Sequence, residues 1–374
     1  VGASVSPYVL EFRERFLLDG EMISRETLAQ ILTEVRAVAE GLRAEGWDIH
    51  YIGTQDGIEH ELIGRLPGVK YHSVPSGKLR RYFDVKNFTD PFKVLAGSAK
   101  AAHLIGRIKP SVVFSKGGFV SVPVVYGAWL HRVPVIVHES DMTPGLANRL
   151  STPLCRAVCT TFPEAAKAAG AKGVCTGTPL RRDLFEGRRE EGLRICGFTG
   201  SKPVLMMTGG SLGAQAVNAA LRQALPQLTQ VFDIAHLCGK GNLDENLKST
   251  PGYRQFEYMR EDMAHIYAMS DVIISRAGSN TLCEIIALKK PALLIPYPKA
   301  ASRGDQILNA ESFRARGLCH VLMQEDMTAE SLTNAVIEVY KQRRAIEGAI
   351  AACPQRDGTA AVMAQIHKYA LNRG

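Results

Sequence analysis

The sequence predicts an α/β protein of two domains, each a parallel sheet wound with helices. Three observations carry this. Short apolar runs ending in polar or glycine-rich turns alternate with helical runs, the pattern of βαβ units. Such units stand on both sides of a polar, glycine-rich and charged stretch at residues 176–202. The length, 374 residues, also exceeds the roughly 150 of a typical domain.

The elements follow in order. Residues 1–26 show neither a clean strand nor a glycine-rich turn. From Thr27 onward, Leu28, Ile31, Leu32, Val35, Val38, Ala39 and Leu42 recur at helical spacing, and Gly46 stops the helix. Asp48–Thr54 reads as a short strand. A basic stretch at Ser76–Leu95 leads into a helix running to Ile108, broken by Pro110. Ser111–Leu130 and Pro134–Leu150 each read as strand, turn and helix. Pro203–Leu225, with GGSLGA in its turn, and Asp271–Leu288, with RAGSN, repeat the scheme. Pro291–Pro298 is one more buried strand, and the last helix is expected at Thr359–Leu371. The predicted division is 1–26 unmatched, 27–175 first domain, 176–202 linker, 203–345 second domain and 346–374 a C-terminal helical segment.

Composition narrows the class. At 46% apolar and 22% charged residues the chain is not largely disordered. The net charge of +8 permits an anionic partner without choosing among phosphate, nucleic acid and membrane. No apolar run approaches the ~20 residues of a membrane span, and no signal peptide is visible, so the expectation is a soluble or peripheral intracellular protein. The 8 cysteines form no C-x-x-C pair and read as buried small hydrophobes in a reducing compartment. A zinc site through Cys155 and Cys159 is disfavoured because it needs two distant ligands.

Ligands of open α/β sheets bind beyond the carboxyl ends of the strands, so the strand-end turns are the candidate zone. In TGGSLGA, Gly209 and Gly210 allow close backbone approach, Ser211 offers a hydroxyl, and the following helix aims N–H groups at an anion. A plain strand-to-helix turn explains a lone Gly-Gly-Ser about equally well. In RAGSNTLCE, Gly278, Ser279, Asn280 and Thr281 supply donors at a helix start, and Glu284 can accept from a ribose diol or simply be an exposed helical Glu. Gln306 and Asn309 lie three apart on one helix face, suited to sugar hydroxyls, with Asp305 as the expected N-cap. HESDMTPG gathers His138, Glu139 and Asp141 where a hydroxyl could be oriented or deprotonated, or where a histidine is simply satisfied. Lys78, Leu79, Arg80, Arg81, Tyr82 and Phe83 mix basic and large apolar residues. They suit an anionic lipid surface, single-stranded nucleic acid, or a solvated loop.

Taken together, SGKLRRYFDVKNFTDPFKV, FSKGGFVSVPV, HESDMTPGLANRL, TGTPLRRDL, TGGSLGAQAVN, SRAGSNTLCEIIAL and ASRGDQILNAESF resemble the MurG glycosyltransferases. The likeness covers about nine-tenths of the chain by motif order. It implies a GT-B fold: two Rossmann-like domains facing a cleft, with the last helix crossing back to the first. It implies transfer of N-acetylglucosamine from UDP-GlcNAc to the 4-hydroxyl of lipid-linked MurNAc-pentapeptide (lipid I), by a single inverting displacement with no metal or cofactor. Arg181 and Ser211 would meet the diphosphate, Glu284 the ribose, Gln306 the sugar, and the backbone near Arg260 the uracil. Gly210, Ser279, Asn280 and Thr281 would line the nucleotide. Gly117, Gly118 and Asp141, which replaces a common Asn, would lie on the acceptor side. The basic-aromatic stretch would meet the anionic inner leaflet, placing the protein on the cytoplasmic face of a bacterial membrane, without nucleic acid.

The family opens with a strand and a GGGTxGHxxP loop whose His is its candidate base. Residues 1–26 carry neither. The expectation is therefore a truncated or misjoined start, with His138 or Glu139 as stand-in base. The alternative is a catalytically impaired UDP-sugar-binding protein. A dehydrogenase is disfavoured because no G-x-G-x-x-G occurs.

Overall fold

The computed structural model describes residues 17–18, 21–22, 25–53, 60, 63, 66–74, 90–118, 120–209, 214–257, 259, 262–299, 304–353 and 358–370; side chains are described from Glu34 on, except those of 90–96. Two compact units result, one from 27–180 with 357–374, the other from 181–356 with the short segment 17–26.

Strands β1 (Leu17–Leu18) and β2 (Glu21–Met22) pair antiparallel. Helix α1 (Arg25–Ala44) follows, and Gly46 turns the chain at φ +88°. Strands β3 (Ile49–Gly53) and β4 (Val69–Ser73) pair in parallel, then α2 (Asp90–Ile108) runs as the periodicity expects. A four-stranded parallel sheet is built from β5 (Val113–Ser115), β6 (Val135–Glu139), β7 (Ala157–Thr160) and β8 (Gly173–Cys175). Its connections are α3 (Ser121–Leu130), α4 (Leu146–Ser151) and α5 (Pro163–Ala168).

The two parallel sheets of the first unit share one core. Ile52 of β3 packs in the cluster that holds Val135, Val137 and Val158 with Ala101 and Ile105 of α2 and Val125 of α3. The opposite face of β6 and β7, through Ile136, Ala157 and Cys159, packs on Val38 and Leu42 of α1. Burying both faces is why these strands are continuous apolar runs rather than alternating ones.

The second unit opens with α6 (Arg189–Cys196), β9 (Val204–Thr208), α7 (Gln215–Val231), β10 (Asp233–Leu237) and β11 (Tyr253–Phe256). It continues with α8 (Met263–Met269), β12 (Val272–Ser275), α9 (Ser279–Ala287) and β13 (Ala292–Leu294). It closes with α10 (Asp305–Ala315), β14 (His320–Val321) and α11 (Ala329–Ala351). Its six strands are parallel in the order β11-β10-β9-β12-β13-β14. Strands β9, β10, β12 and β13 are fully buried.

Helix α12 (Gly358–Tyr369) returns to the first unit, where Val362 and Ile366 join the core with α1. Gly358 permits this seat: a Cβ there would stand 2.2 Å from the Thr178 carbonyl oxygen. Thr359 adds a hydrogen bond from the Leu180 N–H at 3.0 Å.

The segment expected as a linker is ordered. Thr176 and Thr178 are buried, Leu184 is buried in a 3₁₀ turn at Arg182–Glu186, and Arg189 pairs with Asp271 at 3.1 Å. Arg182, Asp183, Glu186, Arg188, Glu190 and Arg194 are exposed while Leu184 and Cys196 turn in, so mean polarity hid an amphipathic pattern. The division between the units falls between Leu180 and Arg181. Residues 346–351 extend α11, so the returning segment is shorter than expected.

Candidate active site

The carboxyl ends of β9 and β12 are adjacent, with Thr208 paired to Ser275, where the strand order reverses. Loops leaving neighbouring strands toward opposite faces open a crevice there, and ligands of such sheets occupy it. Of the two turns concerned, Gly210 and Ser211 lie outside the described residues, as does Arg260. The turn after β12 is described. Gly278 stands at the N-cap of α9, and Ser279, Asn280 and Thr281 form its first turn. First-turn N–H groups have no partner within their own helix, so they favour an anion or an acceptor oxygen there.

Glu284 lies one turn further along α9, and the fold supplies it with an orienting partner. Tyr267 of α8 donates its hydroxyl to Glu284 Oε2 at 2.8 Å. That engages one oxygen of the carboxylate, which can accept at both. Burial raises the Glu284 carboxyl above its ordinary range, while Tyr267 and the Arg181 guanidinium act in the opposite direction. Arg181 itself sits 3.4 Å from Asp183.

On the other side of β12, the Tyr297 N–H donates to Gln306 Oε1 at 3.2 Å. An N–H can only donate, so the Gln306 oxygen faces the backbone and its NH2 faces away. Asn309 does not share that role. It is buried, and its Nδ2 donates to the Ala277 carbonyl at 3.1 Å, tying α10 to the RAGSN turn. Gly304, at φ +84°, takes the N-cap expected of Asp305, which is the first helical residue.

In the first unit, Gly117 and Gly118 turn the loop after β5 at φ +83° and +86°. A side chain at Gly117 would meet Asn148 Oδ1 at 2.8 Å. His138 is fully buried. Its Nε2 lies 2.9 Å from the Gly177 carbonyl, and its Nδ1 lies 2.7 Å from Lys116 Nζ. Lys116 also bonds Glu34 of α1 and Ser140. Burial, then the Lys116 charge, holds the His138 imidazole well below its ordinary pKa. Glu139 is buried too. It accepts from the N–H groups of Asp141 at 3.1 Å and Gly145 at 2.9 Å, and from Asn148 Nδ2 at 2.8 Å. Asp141 is exposed at the loop tip.

Comparison with known proteins decides the family. The glycosyltransferase family 28 N-terminal domain matches residues 35–160, and the family 28 C-terminal domain matches 204–365. A UDP-N-acetylglucosamine--N-acetylmuramyl-(pentapeptide) pyrophosphoryl-undecaprenol N-acetylglucosamine transferase of Geobacillus thermodenitrificans is 52% identical over 85% of this chain and 89% of its own. The enzyme of the same name from Clostridium novyi is 53% identical over 82% and 87%. The crystal structure of Acinetobacter baumannii MurG superposes with a TM-score of 0.73 at 25% identity, covering 90% of this chain and 96% of that one. This chain belongs to the MurG family. Its fold is GT-B, with two domains built on parallel sheets.

Against the MurG pattern, the structure brings Glu284, Ser279, Asn280, Thr281, Gln306 and Arg181 into one unit. It places Gly117, Gly118, His138, Glu139 and Asp141 in the other. His138 and Glu139, the expected stand-in bases, both lie in the buried end of β6. Both ring nitrogens of His138 and both oxygens of Glu139 are committed to the protein, because the strand end buries them.

Sequence reasoning missed Tyr267 and Lys116, whose partners stand 17 and 22 residues away, beyond any periodic signal. It also missed an exposed apolar surface. Tyr126, Trp129 and Leu130 of α3 and Leu146 and Leu150 of α4 are each 45–51% exposed. Helices α3 and α4 pack together, and Arg132 and Arg149 beside these residues are exposed. The stretch Lys78, Leu79, Arg80, Arg81, Tyr82 and Phe83 lies outside the described residues. Among the described residues no three His, Cys, Asp or Glu side chains group to hold a metal, and no helix is long and apolar enough to cross a membrane.

Proposed function

We propose that this chain transfers N-acetylglucosamine from UDP-GlcNAc to the 4-hydroxyl of MurNAc-pentapeptide on undecaprenyl diphosphate. The observation that carries the reading is the strand-end constellation of the second unit, with Glu284 oriented by Tyr267 on the helix whose first turn faces the β9–β12 crevice. Glu284 holds the ribose, the α9 first turn and Arg181 meet the nucleotide diphosphate, and the Gln306 NH2 reaches the sugar. Fixed N–H groups and a guanidinium stabilise the charge that develops on departing UDP. His138 and Glu139 position the acceptor-side loop: one is held neutral, and the other gathers three donors.

The exposed Tyr126, Trp129, Leu130, Leu146 and Leu150, with Arg132 and Arg149, support docking on an anionic lipid surface near the acceptor. Vesicle flotation tests this: the Trp129→Ser/Leu130→Ser variant is expected to lose co-flotation with anionic vesicles, and undiminished flotation refutes it. The transfer itself is tested by incubating this chain with labelled UDP-GlcNAc and a lipid I analogue. Labelled disaccharide-lipid supports the reading. Tight UDP binding with no product instead favours a UDP-sugar-binding protein without transfer.

A further inference from the structure

Arg276, the first residue beyond β12, is a buried cation, 7% exposed, whose polar partners among the described residues are all neutral. One guanidinium nitrogen, Nη1, donates to the carbonyls of Ile295 at 3.0 Å and Pro296 at 3.2 Å. The other, Nη2, donates to Gln324 Oε1 at 2.7 Å, and the plane lies over the Tyr297 ring with its carbon 4.0 Å from the ring centre. The buried Nε has no partner among the described residues. One side chain thus joins three segments: the RAGSN turn, the strand end after β13, and the 3₁₀ turn Gln324–Asp326.

The strand end it grips is the one that orients Gln306. Arg276 holds the carbonyls of residues 295 and 296 and the ring of 297, and the N–H of 297 fixes the Gln306 oxygen. Buried charge without a carboxylate is costly to keep, so a neutral residue here would be favoured on stability alone.

We infer that Arg276 is a positioning residue for the donor sugar: by clamping the Ile295–Tyr297 strand end it sets the direction in which Gln306 presents its NH2. The inference rests on the reading that Gln306 meets the sugar of UDP-GlcNAc. The planar fork is essential, because a lysine ammonium keeps the charge but cannot span two carbonyls and an amide while stacking on a ring.

The test compares binding of UDP-GlcNAc and of UDP, which lacks the sugar, to the full chain by titration calorimetry. Arg276→Lys is expected to weaken UDP-GlcNAc about tenfold, the worth of one well-made hydrogen bond. It is expected to leave UDP within about threefold, and to raise KM for UDP-GlcNAc more than it lowers kcat. In a Gln306→Ala background the same change should leave the UDP-GlcNAc to UDP ratio where Gln306→Ala alone puts it. If Gln306→Ala shifts the ratio and Arg276→Lys does not, or the two add in full, the positioning role is overturned while the sugar contact stands. If Gln306→Ala leaves the ratio unchanged, the sugar reading fails and the inference falls with it. Should Arg276→Lys not fold, Gln324→Leu loosens one end of the clamp and is expected to move the ratio in the same direction. An unmoved ratio there also overturns the inference.

Discussion

Acidification is expected to weaken the second unit through one buried histidine, His236 of β10. Its Nδ1 takes the Tyr253 hydroxyl at 2.7 Å, and its Nε2 faces Asn218 Oδ1 at 2.9 Å. Asn218 Nδ2 donates to the Cys238 carbonyl at 2.8 Å, which fixes Oδ1 toward the ring and puts the histidine proton on Nε2. Burial, then the Arg222 charge, lowers the pKa from 6.5 to about 3. The folded state therefore holds the ring neutral while the unfolded chain protonates near its ordinary value. The resulting stability is present above about pH 6.5 and is lost as pH falls toward the folded pKa. At about pH 5 the loss from this ring is about 2 kcal/mol.

His236→Gln keeps hydrogen-bonding capacity on both sides without a titrating group. Urea unfolding of both proteins at about pH 7.5 and about pH 5 measures the difference. The wild type should lose about 2 kcal/mol more than the variant across that interval. His138 is present in both proteins, so its own acid sensitivity cancels. Equal losses would refute the assignment of the acid slope to His236.

Glu284→Gln is expected to raise the melting temperature near neutral pH while weakening UDP binding about ten- to a hundredfold, the range for hydrogen bonds to a charged group. Its folded pKa is raised, so its contribution is present below its ordinary value and lost as pH rises through the folded one; the gain should vanish near pH 4. A variant less stable at neutral pH would contradict this sign. Glu139→Gln should lower transfer less than about tenfold with the acid limb of the pH–rate profile unmoved, since the carboxylate organises a loop. Loss of that limb would restore Glu139 as the base. Gly358→Ala should cost about 2–3 kcal/mol in urea unfolding by driving α12 from the Thr178 carbonyl, and a cost below about 0.5 kcal/mol would show that the helix seat yields.

The sequence by itself determined the α/β class, the βαβ repeats and the turns proposed to carry the donor site. Runs such as Val204–Thr208 and Val272–Ser275 are apolar throughout because their strands are buried on both faces, and a continuous apolar run bounded by turns is legible without coordinates. Glycines at 117, 118 and 278 stood out for the same local reason, since turn chemistry is written within a few residues. Short or less apolar strands, such as Gly173–Cys175 and His320–Val321, gave no such signal, because their pairing with neighbours is what makes them strands.

Only the tertiary structure decided which polar groups were spent on the fold. His138, Glu139 and Asn309 read as chemistry in one dimension, yet each is buried against partners that the sheet or a neighbouring helix supplies. Tyr267 and Arg276 read as nothing in particular, yet they orient Glu284 and the Gln306 strand end across gaps of 17 to 21 residues. Local sequence sets backbone conformation and amphipathic faces. Hydrogen-bond partnership and desolvation depend on which distant segments pack together, and that is fixed only when the strands close into sheets.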